Sequence, residues 1–241
     1  MHAESSEDAG WLDELRLDPA GPPWLAMGTS RTDQCFTPIR DRAFKQQLLA
    51  ERRHEVLAGA GGLDAIERLA LLVDEDVCYL LPDDAGRYVL VAGCVCSPSH
   101  WRLTDKLGQS VVAIHGRVAH YEDDLARKVD GFLSRLRPGA LVARRNWTVH
   151  ESSERFEPDT PRSTGVPPER QWLRTERQTL QRLDRSGAVQ FTIRTDMAQL
   201  CDVTPEHRRR LAARLVAEPD DLIAYRDLTD RKAGLIEWLR Q

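Results

Sequence analysis

The sequence predicts an α+β domain in which helices pack around an antiparallel sheet. Three observations carry this. Ala188 to Asp196 alternates apolar and polar residues, and Asp184-Arg185-Ser186-Gly187 separates it from a second extended run, Thr175 to Leu183. That is the signature of a hairpin. Tyr88 to Cys96 (YVLVAGCVC) is apolar on both faces, as in a buried central strand. Helical stripes recur around these runs; Leu125, Val129, Phe132, Leu133 and Leu136 form the clearest, stopped by Pro138-Gly139.

Taken in order, residues 1–23 are acidic and end in Gly21-Pro22-Pro23, which reads as a flexible arm ahead of a single domain over 24–241. Arg40 to Leu57 is helical, with Phe44, Leu48, Leu49, Val56 and Leu57 on one side and Gly59 as its stop. Gly59-Ala60-Gly61-Gly62 follows a helix and precedes no Lys-Ser or Lys-Thr, so it reads as a helix cap and not a phosphate loop. Ile66, Leu69, Ala70 and Val73 mark a second helix, and Pro82 to Gly86 a turn. Trp101 to Leu107 allows one or two helical turns before Gly108, and Val111 to Ile114 is a further short apolar run. Leu141 to His150 is a strand, and Glu151 to Arg170, with four prolines, a long loop of the kind that is usually functional or disordered. Thr204-Pro205-Glu206 opens a helix with a cap, a first-turn proline and an acidic first turn. The last helix carries Leu235, Trp238 and Leu239.

Composition narrows the function. The 241 residues are 41% hydrophobic and 30% charged, long and apolar enough for a core without disulfides or structural metal. Lys and Arg number 34 against 38 Asp and Glu, for a net charge of −4. That balance predicts neither nucleic acid nor an anionic membrane as the partner. No apolar run reaches membrane-spanning length and the start lacks the pattern of a signal peptide. The five cysteines have no paired spacing. A reduced, cytoplasmic protein is expected.

The hairpin also bears on chemistry. Gln190, Thr192 and Arg194 share one face, with Thr175, Arg177 and Thr179 beside them; Val189, Phe191 and Ile193 take the other. The polar face is either a solvated outer surface or the lining of a polar ligand site, with arginine held ready for a carboxylate. His115 ends the apolar run Val111 to Ile114 and precedes Gly116. It reads either as a hydrogen-bonded structural histidine or as a ligand to a metal or haem iron. His100 and His120 complete no zinc-type spacing. Cys94 and Cys96 point to one side of a strand as buried thiols, with a thiolate ligand to haem as the alternative. Gly-x-Ser-x-Gly, Gly-x-Gly-x-x-Gly and iron–sulfur cysteine patterns are all missing, so electrons for any redox chemistry come from another chain.

An ordered set of stretches over roughly residues 80 to 200 resembles the alpha subunit of haem-dependent oxidative N-demethylase, a family related to dimethylamine monooxygenase. The set is Val91-Ala92-Gly93-Cys94, Ser97-Pro98-Ser99-His100-Trp101, Leu103 to Gly108, Ile114-His115 with Val118 and Tyr121, Arg145-Asn146-Trp147, Arg174 to Leu180, and Phe191 to Thr195. The resemblance implies a PAS-like fold holding haem b, and a monooxygenase that oxidises an amine with O2. Separate flavin and iron–sulfur partners would deliver the electrons. It implies His115 as the haem-iron ligand, and Arg145, Arg177 and Arg194 as contacts to the cofactor or oxygen site. It also implies Glu176 and Arg177 as catalytic candidates near the substrate. Arg117 and Ala119 stand where the family pattern has prolines, with His120 in the variable place before Tyr121; this bears on the identity of the amine more than on the haem. The same fold would serve a non-enzymatic haem-binding gas or redox sensor, or a non-haem scaffold subunit of an oxygenase complex.

Overall fold

The computed structural model describes residues 30–31, 34–114, 123–160 and 162–241. It is α+β, built on one seven-stranded sheet. The strands are β1 (Ser30–Arg31), β2 (Leu57–Gly59), β3 (Asp76–Pro82), β4 (Tyr88–Cys94), β5 (Leu141–His150), β6 (Trp172–Arg182) and β7 (Val189–Gln199). Their order is β1-β5-β6-β7-β3-β4-β2, and every pair is antiparallel. The N-terminal arm expected over residues 1–23 lies outside the described residues, as do His115 to Tyr121. Among the described residues no helix is long and apolar enough to cross a membrane.

The predicted hairpin is the longest pairing. β6 and β7 run in unbroken register from Trp172 opposite Gln199 to Arg182 opposite Val189. Its turn closes with Leu183 N–H on the Ala188 carbonyl (2.9 Å) and Gly187 N–H on that of Leu183 (2.9 Å). Gly187 has φ +68°, which only glycine adopts without cost. β5 occupies the span read from the sequence, and β3 inserts between β7 and β4.

Tyr88 to Cys94 is not the central strand that its apolar pattern suggests. It is second from the edge, flanked on one side by three residues of β2. It is apolar on both sides because both sides are covered. The helices α1 (Arg42–Val56) and α2 (Leu63–Ala70) cover one face, where Leu57, Ala92 and Cys94 join Leu48, Leu49, Val56, Ile66 and Ala70. On the other face lie α3 (Leu103–Lys106), α4 (Val111–Ile114) and α5 (Asp123–Arg135). There Leu103, Leu133 and Leu136 meet Cys78, Leu80, Leu90 and Val189. The C-terminal helices α6 (Pro205–Ala217), α7 (Asp220–Tyr225) and α8 (Lys232–Leu239) return to the first face, burying Trp147, Val149 and Leu173 against Leu211, Leu215, Leu235 and Leu239. α6 starts as predicted, with the Thr204 hydroxyl accepting from His207 N–H.

Gly59 is not a helix stop. α1 passes directly into β2, and a Cβ at position 59 would lie 2.5 Å from the Ala92 Cβ. The cap belongs to Gly62, at the start of α2 with φ +68°. At the far end of the sheet, β5 has an edge beyond its short pairing with β1. Arg226 donates to the Trp147 carbonyl there, and Arg231 to that of Val149 (3.0 Å).

Two glycines test this packing in opposite senses. A Cβ at Gly93 would meet the Val77 carbonyl oxygen at 2.8 Å and the Cys78 sulfur at 3.3 Å. Gly234, exposed in α8, has open space. Gly93→Ala is expected to cost about 1–3 kcal/mol through overpacking. Gly234→Ala should gain about 0.4–1 kcal/mol by restricting the unfolded chain. Urea unfolding of the two variants against the parent chain checks both.

Candidate functional site

The β6–β7 register sorts the expected site residues onto two sides. Arg177 stands opposite Arg194 on one flank and Arg145 on the other, so the three arginines share one face. Thr175, Thr179, Thr192 and Gln190 lie on that face and are all buried. It is therefore not a solvated outer surface. The segment after β1 covers it: Arg177 donates to the Gln34 carbonyl, and Cys35 Sγ meets Thr179 Oγ1 (3.5 Å) and Gln190 Nε2 (3.3 Å). Arg40 reaches Asp74 (2.5 Å) and Asp196 (2.7 Å), and Arg194 lies 3.4 Å from the same Asp196 carboxylate. Burial, followed by the positive field of Arg177, lowers the affinity of Arg145 for its proton; Asp196 opposes this. These arginines are held by acidic residues and by the chain that crosses them.

Glu176 points the other way, as it must beside Arg177 in a strand. The two residues expected to act together are thus separated by the thickness of the sheet. The face of Glu176 is also not the apolar one read from β7 alone. Phe191 and Leu180 make it apolar at one end, but β6 contributes Arg174, Glu176 and Gln178 to the other. Glu176 accepts from Gln178 Nε2 (2.8 Å), Asn146 Nδ2 (3.4 Å) and Arg174 Nε (3.4 Å). Arg144 Nε donates to Gln178 Oε1 (2.5 Å). Arg226 holds the Asn146 carbonyl oxygen at 3.2 Å, which fixes the orientation of that amide.

Arg174 is fully buried and was not singled out by sequence pattern. Beyond Glu176, it donates to the carbonyls of Ser97 and Arg155 (3.3 Å) and to Thr195 Oγ1 (3.2 Å). The Asp76 carboxylate holds the same turn from below, accepting from Cys96 N–H (2.9 Å) and Ser97 N–H (2.8 Å). Burial pushes the Asp76 carboxyl up, and Lys45, 3.7 Å away, pulls it back.

α4 packs on the Glu176 side. Val111 and Ile114 join the apolar cluster that includes Val142, Leu180, Phe191, Val129 and Phe132, each partly exposed. Val142, Leu180 and Phe191 form its sheet side; Val142 and Leu180 are next along their strands from Arg144 and Gln178, and Phe191 pairs with Leu180. His115 follows Ile114 directly in the chain, and lies outside the described residues. Cys78, Cys94 and Cys96 are buried, and burial pushes the Cys78 thiol far up. The neighbouring Cys94 sulfur, 3.9 Å away, and burial do the same to Cys96. Both cysteines of the Cys-x-Cys pair are buried in the apolar cluster under α1 and α2 and pack as small apolar side chains.

Comparison with known families matches residues 33–235 to the family described as haem-dependent oxidative N-demethylase, alpha subunit-like. The chain belongs to this family. The match extends well beyond residues 80 to 200, taking in α1 and α2 at one end and α6, α7 and the first half of α8 at the other.

Two measurements test the site as built. Arg174→Leu removes the buried cation that serves the Ser97 and Arg155 carbonyls and Glu176 Oε1, and should cost about 3–5 kcal/mol by urea unfolding. Thiol titration of the native chain with a disulfide reagent should modify exposed Cys201 first. Cys78, Cys94 and Cys96 should react only once the chain unfolds.

Proposed function

We propose that this chain is the haem-carrying subunit of an amine monooxygenase, with haem b seated on the Glu176 side of the sheet. The observation that carries this reading is a juxtaposition. α4 sets Ile114, and so the start of the segment bearing His115, against a partly exposed apolar wall. The polar line Arg144–Gln178–Glu176–Asn146 adjoins that wall.

These residues fit the group. A flat, largely apolar macrocycle needs an apolar wall, which Val142, Leu180, Phe191 and Phe132 supply. Its acid side chains need a cation, and Arg144 stands on that face next to Val142 of the wall. Its iron needs a neutral imidazole, the role proposed for His115. When bound, haem supplies the oxygen-binding and electron-transfer chemistry that side chains lack. The chain's own part is orientation. Three donors fix the Glu176 carboxylate, and a fixed carboxylate beside an apolar wall can hold a protonated amine by a charge-assisted hydrogen bond. Arg145, Arg177 and Arg194 lie on the far face; in this reading they hold the crossing segment and touch neither cofactor nor substrate. Glu176 remains the substrate-positioning residue, and the catalytic role expected for Arg177 passes to the Glu176 side. Electrons come from a separate flavin or iron–sulfur reductase, since the chain carries neither pattern.

Haem titration of the purified chain is expected to give a Soret band at one haem per chain and a pyridine haemochrome of b type. His115→Ala should lose haem, or change its ferric and ferrous-CO spectra, far more than His100→Ala does. A folded chain that takes up no haem sinks the reading. With haem and a reducing partner, a secondary amine should raise oxygen consumption, whereas NADPH alone should not. Glu176→Gln should keep haem and raise KM for the amine roughly 10- to 100-fold, the value of one lost hydrogen bond to a charged group. Haem uptake with no amine-dependent oxygen consumption would make the chain a sensor instead.

A further inference from the structure

We propose that His100, His150 and Glu157 form a binding site for a first-row divalent cation, with zinc as its best occupant. His150 falls on the Glu176 side of the sheet, at the opposite end of β5 from Val142; the site shares no residue with the proposed haem wall and stands whether or not that proposal does.

The three residues come from two separate stretches of the chain. His100 lies in the turn after β4, His150 ends β5, and Glu157 sits in the proline-rich loop that follows. Their ligand atoms all lie within 4.8 Å of one another. Glu157 touches His150 Nδ1, and its Oε2 is 3.8 Å from His100 Nε2. The imidazole rings lie 5.0 Å apart, inclined by 31°.

The far side of each ring is already engaged, which decides which nitrogen faces the cluster. His100 Nδ1 is 2.7 Å from the Asp227 carboxylate, so that nitrogen carries the proton and Nε2 presents a lone pair. His100 Nε2 is buried and has no hydrogen-bond partner. His150 Nε2 meets Ser99 Oγ at 3.2 Å, leaving Nδ1 towards Glu157. A carboxylate or hydroxyl behind each imidazole is the usual outer support of a metal-bound histidine.

The backbone holds this arrangement from several directions. His100 N–H donates to the Glu157 carbonyl (2.7 Å), and Glu157 N–H to that of Pro98 (3.2 Å). Arg174 ties down both loops through Ser97 and Arg155. Among the described residues, the two non-glycine positions with positive φ are His100 (+58°) and Asp227 (+55°). They are hydrogen-bonded to each other. Backbone conformations of this kind persist where the surroundings enforce them, and they cluster at functional sites.

Two imidazoles and one carboxylate are the donor set of a borderline cation, not of magnesium or calcium, which prefer oxygen. Tetrahedral zinc with bonds of about 2.0–2.1 Å sets its donors about 3.3–3.4 Å apart. His100 and Glu157 need to close slightly from 3.8 Å, and the His150–Glu157 contact needs to open. Three protein ligands leave the fourth position for solvent. A cation here would pin the loop carrying Glu157 to the end of β5 and, through Asp227, to the turn between α7 and α8.

The test is calorimetric titration of the untagged, chelator-treated chain with Zn2+, and separately with Mg2+, alongside metal analysis after dialysis. One zinc per chain, no magnesium, and a zinc-dependent rise in Tm are expected. Glu157→Gln and His100→Ala should each weaken zinc binding at least 100-fold. Asp227→Asn should weaken it 10- to 100-fold by releasing the ring. His54→Ala, at an exposed histidine of α1, should bind as the parent does. Glu157→Gln keeps the size and hydrogen-bonding capacity of the side chain, so it reports even if His100→Ala fails to fold. No stoichiometric zinc on the parent chain, or equal binding by Glu157→Gln, overturns the proposal. Haem content is recorded for each variant and is expected not to change.

Discussion

The polar half of this protein depends on the buried guanidinium of Arg174. From the interior of β6 it reaches the turn leaving β4, the loop after β5, a carboxylate on its own strand and a hydroxyl on the next. A guanidinium can do this because its donors form a rigid planar fork; an ammonium on a flexible stem could not serve so many directions at once. Asp76 completes the clamp. The Cys96–Ser97 turn is held at its N–H groups by a buried carboxylate and at its carbonyl by a buried cation. Opposite charges on opposite ends of one turn fix its direction, and everything downstream, from Ser99 to α3, inherits that direction.

The two faces of the sheet follow from how the chain crosses it. The β4-to-β5 connection carries α3, α4 and α5 over one face. The chain before β3 and the chain after β7 supply helices to the other. The central strands are therefore covered twice although neither of their faces is wholly apolar. Polar side chains in such a place have to find partners, and two networks result. The arginine network is closed by Asp74, Asp196 and a covering segment. The glutamate network borders an apolar wall that is still partly exposed. That difference, between a network sealed by its own chain and one beside an accessible surface, favours the second as the place for a cofactor.

Much of this was legible in the sequence. The hairpin turn, the limits of β5, the stripe of α5 and the cap of α6 were readable because each rests on local periodicity or on one cap residue. β3 was not. Asp-Val-Cys-Tyr-Leu-Leu-Pro is short, lacks alternation and ends in a proline more easily assigned to a turn. β2 was hidden because a helix runs into it with no break. The polar face of the hairpin was read correctly as polar, but strand alternation says nothing of what lies above a face, so its cover of residues 34–40 was out of reach. Glu176 and Arg177 were separable in principle, since neighbours in a strand point apart. The cluster of His100, His150 and Glu157 left no signal in spacing. Its members are brought together by the β4 turn, the end of β5 and a loop, and no short motif spans them.

The exposed rim of β5 has a consequence for how this molecule meets others. An open strand is ordinarily a template, because its free carbonyls invite a passing backbone to dock and extend the sheet. Here Arg226 and Arg231 occupy the carbonyls of Trp147 and Val149 from the side where such a guest would arrive. The seat is taken by side chains from the turn between the last two helices of the same chain. Strand-by-strand growth into a fibre is therefore blocked along this stretch for as long as those helices stay docked, and their docking guards this edge as well as the packing of the core.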